Sequence, residues 1–217
     1  MVHFTITKKS VKSIRIKINP NGTVSVTAPL SCSDEQVAEL VEKKEKRIQK
    51  KLSLIKKAKT ELAIDVNEIV LHGRNYRFHL DAWLGDKVVI NNDNHSIRSG
   101  VDLRKKVEQE KRYQEYAKTY LTEKLEKVAR EYRLSYNKIF IRDQKTRRGT
   151  CSSDKHIGLN RRLVKMPDYI AQYVICHELA HLHEMNHGPK FRALVDKIYP
   201  DKERAMDWLK QYGMVLY

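Results

Sequence analysis

Hydrophobic and polar positions alternate early in the chain. Ile14, Ile16 and Ile18 interleave with Arg15, Lys17 and Asn19, and Val24 and Val26 resume the alternation after Pro20-Asn21-Gly22. A period of two interrupted by a turn predicts strands over residues 3–29, forming a hairpin with one buried face that Pro29 ends. The period changes at Ser33, which with Gln36 three residues later reads as a capping box. Val37, Leu40, Val41, Ile48, Leu52 and Ile55 then recur at helical spacing, which predicts one helix running to about residue 58. Its other face is dense in lysine, with Lys43, Lys44, Lys46, Lys50, Lys51, Lys56 and Lys57.

Strand patterns return over 68–92. Ile69 and Leu71 lead into a turn at His72-Gly73-Arg74-Asn75, Tyr76, Phe78 and Leu80 follow, and Val88 to Ile90 form a further short strand. A long helix is predicted over 102–133, where Val107, Tyr113, Tyr116, Ala117, Tyr120, Leu121, Leu125, Val128 and Tyr132 recur mostly three and four apart. Residues 138–143 and 155–160 read as a hairpin around the polar turn Gln144–Ser153. Helices follow from Pro167-Asp168, from Pro189 to Tyr199, and over about 201–211. The class is α+β in two halves: residues 1–100, β-hairpin-rich with one long lysine-rich helix, and residues 101–217, with a long helix and a small antiparallel sheet.

One helix differs from the rest. Tyr169 to Cys176 carries no charge in a chain where charge is abundant, and Leu179, Ala180 and Leu182 continue the apolar run. A helix apolar nearly all round is buried, yet this one contains His177-Glu178-Leu179-Ala180-His181. Residues four apart lie about 40° apart around a helix and about 6 Å apart along it, so the two imidazoles share a face. They suit two corners of a zinc tetrahedron, while Glu178 projects about 100° away, placed to act as a general base rather than a ligand. His187 is the expected third ligand. It can reach the others only if the helix stops after His181, with Asn186 as a left-handed terminator and Gly188-Pro189 as a new start. Glu184, Asp196 and Glu203 are the competing oxygen ligands, and His183 points away to the surface.

Lys and Arg number 43 against 27 Asp and Glu, a formal charge of +16, with a sequence pI near 9.7. Such a balance favours nucleotide, nucleic acid or another anionic partner through a basic surface, or else solvated lysine faces. Three cysteines, Cys32, Cys151 and Cys176, with no C-x-x-C, argue against a disulfide framework and for a reducing, cytoplasmic setting. No leader-like apolar region opens the chain and no stretch reaches the length of a membrane span, so no membrane partner is expected.

Thr146-Arg147-Arg148-Gly149-Thr150-Cys151-Ser152, Ile157-Gly158-Leu159-Asn160, Pro167, the His177–Leu182 run, Asn186-His187-Gly188, Phe191 and Pro200 together resemble the YgjP-like metallopeptidase family, relatives of the WLM and SprT-like zincins. The resemblance is dense over about 140–200. It implies a zincin-like catalytic half, Zn2+ on His177, His181 and His187, and Glu178 as base. The family usually reads R-W-G-S-C, so Arg148 replaces an expected tryptophan and Thr150 an expected serine. The function expected is zinc-dependent hydrolysis of a peptide or protein substrate, with Arg147 and Arg148 as substrate-binding candidates and Arg147 or a tyrosine facing the oxyanion. A metal-dependent nucleoside triphosphate hydrolase and a DNA-associated protease are the alternatives. The first lacks a phosphate-cradling glycine loop.

Overall fold

The computed structural model describes residues 2–61, 65–144 and 146–213. Lys145, inside the polar turn, and the last four residues of the expected second half lie outside them. The chain gathers into two compact units, residues 1–63 with 207–217, and residues 64–206. The sequence-level boundary at residue 100 lies inside the second unit.

In the first unit, β1 (Phe4–Lys9), β2 (Arg15–Ile18) and β3 (Val24–Pro29) form a sheet in the order β1-β3-β2. β2 and β3 are the expected antiparallel hairpin, with Ile16 opposite Val26, and β1 adds in parallel to β3. Val24, Val26 and Ala28 face a core completed by Val37, Val41 and Ile48. The capping box forms as read: Ser33 Oγ accepts from Gln36 N at 3.2 Å, and Ser33 N donates to Gln36 Oε1 at 3.0 Å. The single long helix is in fact two, α1 (Asp34–Lys43) and α2 (Glu45–Glu61). The break at Lys44, whose amide donates to Val41 O at 3.0 Å, falls in the charged segment Glu42–Arg47, where no apolar side chain ties the helix to the core.

The second unit holds two small sheets. β4 (Glu68–Leu71), β5 (Arg74–Leu80), β6 (Val88–Asn91) and β7 (Ser96–Ser99) are ordered β4-β5-β7-β6. β4 and β5 are joined through His72 and Gly73, both at positive φ, 51° and 73°, the backbone of a two-residue hairpin turn. This turn is pinned from outside. His72 N donates to Val164 O at 2.7 Å and Gly73 N to Lys165 O at 3.1 Å, while a Cβ on Gly73 would meet Pro167 at 2.6 Å. α3 (Lys106–Glu131) buries Tyr113, Ala117, Leu121, Leu125, Val128 and Ala129. Val107, expected on its buried stripe, is 79% exposed.

β8 (Lys138–Arg142), β9 (Gly149–Cys151) and β10 (His156–Asn160) are ordered β8-β10-β9. The expected hairpin of 138–143 with 155–160 is corrected here. β8 and β10 run parallel, and the antiparallel partner of β10 is β9, which lies within the predicted turn. A 3-10 turn (Arg161–Lys165) leads to α4 (Asp168–Ala180), α5 (Pro189–Ile198) and α6 (Lys202–Tyr212). Arg161 and Arg162 pair with Asp143 at 2.8 and 2.7 Å. They hold its carboxyl down to about 2, Arg162 contributing most. No helix among the described residues is long and apolar enough to cross a membrane.

His72 carries a testable pH dependence. Its Nε2 lies 2.8 Å from Tyr116 Oη, and burial, helped by Lys124, pushes its pKa from the usual 6.5 to about 4. The unfolded chain therefore takes up this proton first as pH falls. Stability present above about 6.5 is expected to drain away between pH 6.5 and 4. His72→Asn keeps a residue that tolerates positive φ before Gly73 and removes the titration. Urea midpoints measured across that range should fall less steeply for this variant than for the wild type.

Candidate metal centre

α4 explains why two imidazoles sit deep in the fold. Ile170, Ala171, Val174, Ile175, Cys176, Leu179 and Ala180 are buried along it, and Glu178 is buried among them at 6% exposure. The helix ends at Ala180, with His181 still helical at φ −65° and ψ −16°. The chain then tightens. Leu182 N donates to Leu179 O at 3.1 Å, and His183 N and Glu184 N both donate to Ala180 O at 3.2 Å. The first two bonds span three residues and the third spans four, so the backbone tightens and turns without a left-handed residue. Asn186 is not at positive φ, so its expected role as terminator is not observed. Gly188, extended at φ −74° and ψ −174°, precedes Pro189 at the start of α5, as expected.

The reversal brings His187 back. His177, His181 and His187 each offer a ring nitrogen, and these atoms lie within 4.8 Å of one another. His177 Nε2 and His187 Nε2 are 3.1 Å apart. Two nitrogens bound to one tetrahedral ion at about 2.0–2.1 Å sit about 3.3 Å apart, so this pair fits a shared ion. His181 Nδ1 lies 3.0 Å from Glu184 O. A proton there leaves Nε2 as the free donor, the usual second partner of a metal-binding histidine. Burial, then His181 and His187, push the His177 pKa down to about 4. The neutral ring that results is the ligating form.

Phe191 of α5 is the shared wall. Its ring centroid lies 4.9 Å from that of His177, 4.4 Å from His181 and 4.8 Å from His187. Its apolar helical spacing showed that it faces inward but not what it would touch. The competing oxygens stay out of the cluster: Glu184 contributes only its backbone carbonyl, and Asp196 pairs with Lys202. His183 is exposed, as read.

Burial alone pushes Glu178 up to about 8, and a cation held by the adjacent imidazoles would pull it back towards the range of a base. β9 runs directly against it, and a Cβ on Gly149 would come within 2.5 Å of Glu178 Oε1 and Cγ. Glycine leaves room there for that side chain in the position seen, a matter of close approach rather than of backbone angle. Asn160, fully buried, fixes the loop that delivers β9. Its Nδ2 donates to Gln144 O at 2.6 Å and Arg147 O at 2.8 Å, and its amide donates to Arg148 O at 2.8 Å. Arg147 is exposed and Arg148 half-buried, immediately before Gly149.

Three imidazoles converging beside a buried acid suit a metal-dependent hydrolase. The sequence narrows the class. The family model described as YgjP-like, metallopeptidase domain matches residues 12–212, so the chain belongs to that family and is a metal-dependent peptidase. Among solved structures, the metallopeptidase zymogen jannalysin of Methanocaldococcus jannaschii is 25% identical. It aligns over 42% of this chain and 91% of that one, at a TM-score of 0.36. No curated protein matches the chain.

Proposed function

We propose that the protein is a zinc peptidase in which His177, His181 and His187 hold the ion and Glu178 is the general base. The observation that carries this is the convergence of three ring nitrogens within 4.8 Å, with Glu178 next to His177 in sequence and pressed against β9. An all-imidazole donor set suits zinc, which when bound supplies Lewis acidity at the scissile carbonyl. The chain supplies the rest. Glu178 takes a proton from the attacking water and passes it to the leaving amine. Its buried setting excludes bulk water from that carboxyl. β9 lies at the edge of its sheet, so one row of its backbone groups faces away from β10, open to an extended peptide. Arg147 and Arg148, at the entry to β9, are assigned to substrate binding. The substrate on this reading is a peptide or protein, as the family implies.

Metal removal tests this reading. Chelation is expected to abolish breakdown of an unfolded protein, and one equivalent of Zn2+ to restore it. His187→Ala should lower metal occupancy measured by atomic spectroscopy. Hydrolysis of nucleoside triphosphates with no cleavage of unfolded protein would overturn the proposal.

A further inference from the structure

Residues 1–33 hold five Lys and Arg and no Asp or Glu. About half of that segment is the β1-β3-β2 sheet, whose two faces differ sharply. One packs Phe4, Ile6, Ile16, Ile18, Val24, Val26 and Ala28 into the core beneath α1 and α2. The strand register defines the other. Thr5, Ser25 and Lys17 stand in one row across the three strands, Thr7, Thr27 and Arg15 in the next, and Lys9 beside Pro29 in a third. Side chains within a row are about 5 Å apart and successive rows about 7 Å apart. Thr5, Thr7, Lys9, Arg15 and Lys17 are exposed, and Ser25 and Thr27 half-buried on the central strand.

The outward face is therefore built from four hydroxyls and three cations. It carries no carboxylate, aromatic ring or large aliphatic group. The first carboxylate in the chain, Asp34, is held at 2.9 Å by Lys8, which lies on the same side of β1 as Phe4 and Ile6. Among the described residues, Lys9, Arg15 and Lys17 are in no ion pair.

We propose that this face binds the phosphodiester backbone of nucleic acid, independently of base sequence. Lysine, arginine and hydroxyl side chains are the groups that contact phosphate oxygens, and such contacts position a protein without reading bases. Single-strand binders that stack bases present aromatic platforms, and this face has none. Charge complementarity chooses the occupant: a polyanion with phosphates repeated at short spacing meets Arg15 and Lys17 about 7 Å apart and Lys9 about 12 Å from Arg15, on a hydroxyl-lined surface.

Fluorescence anisotropy on the full chain tests the assignment, using a labelled duplex of about 20 base pairs and its single strand at about 50 and 200 mM salt. The triple variant Lys9→Gln, Arg15→Gln, Lys17→Gln is compared with Lys46→Gln, Lys50→Gln, Lys51→Gln, which removes equal charge from the exposed face of α2. The first is expected to lose at least about tenfold in affinity and to flatten the log–log salt slope by about 2–3. The second should stay within about threefold of wild type. The pair Thr5→Val, Thr27→Val, which keeps shape and strand propensity, should weaken binding about threefold at constant charge. Thermal melts establish that each variant is folded. The proposal is overturned by no binding at low salt, by equal losses in both charge variants, by unchanged affinity in the valine pair, by preference for one base sequence, or by equal displacement with polyglutamate of matched charge.

Discussion

Glu178→Gln is expected to cut turnover of an unfolded protein substrate by about 10²–10⁴-fold, the usual contribution of a positioned acid–base group. It should leave metal occupancy at wild-type level. The substitution keeps the volume of a side chain only 6% exposed, so packing of α4 is retained. It leaves all three imidazoles untouched and removes only the capacity to accept and release a proton. Stopped assays on variant protein of matched metal content measure the effect. Turnover within tenfold of wild type would show that another group performs the proton transfer.

Gly149→Ala is expected to lower turnover by about a hundredfold while changing thermal stability little. The added methyl would lie 2.5 Å from Glu178 Oε1 and Cγ, closer than any real contact. The carboxyl can swing aside, which costs the fold little, but displacement of a reacting group by about 1 Å costs on the order of 10² in rate. The effect should fall on kcat more than on KM, because the substrate-facing edge of β9 stays in place. A variant with unaltered kcat would mean that Glu178 does not act from the position seen beside β9.

The convergence of the three imidazoles was largely legible in the sequence because helical geometry is periodic. His177 and His181 had to share a face, and an uncharged run had to bury them. His187 was reachable by the same logic, since no straight helix could use it. The mechanism of the turn was not legible. Left-handed Asn186 was the expected device, and a tightened turn after Leu179 does the work instead. Gly149 stood in a recognisable run of residues, but nothing local revealed that its missing side chain makes room for a carboxyl from another element.

The fold was read less well where pattern is thin. β7 has a single apolar residue, Ile97, among Ser96, Arg98 and Ser99, so alternation gave no signal. β9, Gly149-Thr150-Cys151, is too short to show a period. The parallel pairing of β8 with β10 depends on β9 taking the antiparallel side of β10, a choice between partners that no single strand encodes. The helix break at Lys44 fell between Val41 and Ile48, seven residues apart, a gap that a continuous helix would also show.

Phe191 has a consequence for the order of assembly. One ring touches all three imidazoles, and His181 is further fixed by the Glu184 carbonyl. The ligands are thus gathered by ordinary side-chain packing within a unit that has a large apolar interior of its own. Minimal zinc-stapled domains differ, collapsing when stripped of their ion. If the three imidazoles hold the ion as proposed, the chain is expected to reach its native form before the ion arrives. On that reading, peptidase capacity would follow the supply of a trace element rather than new synthesis.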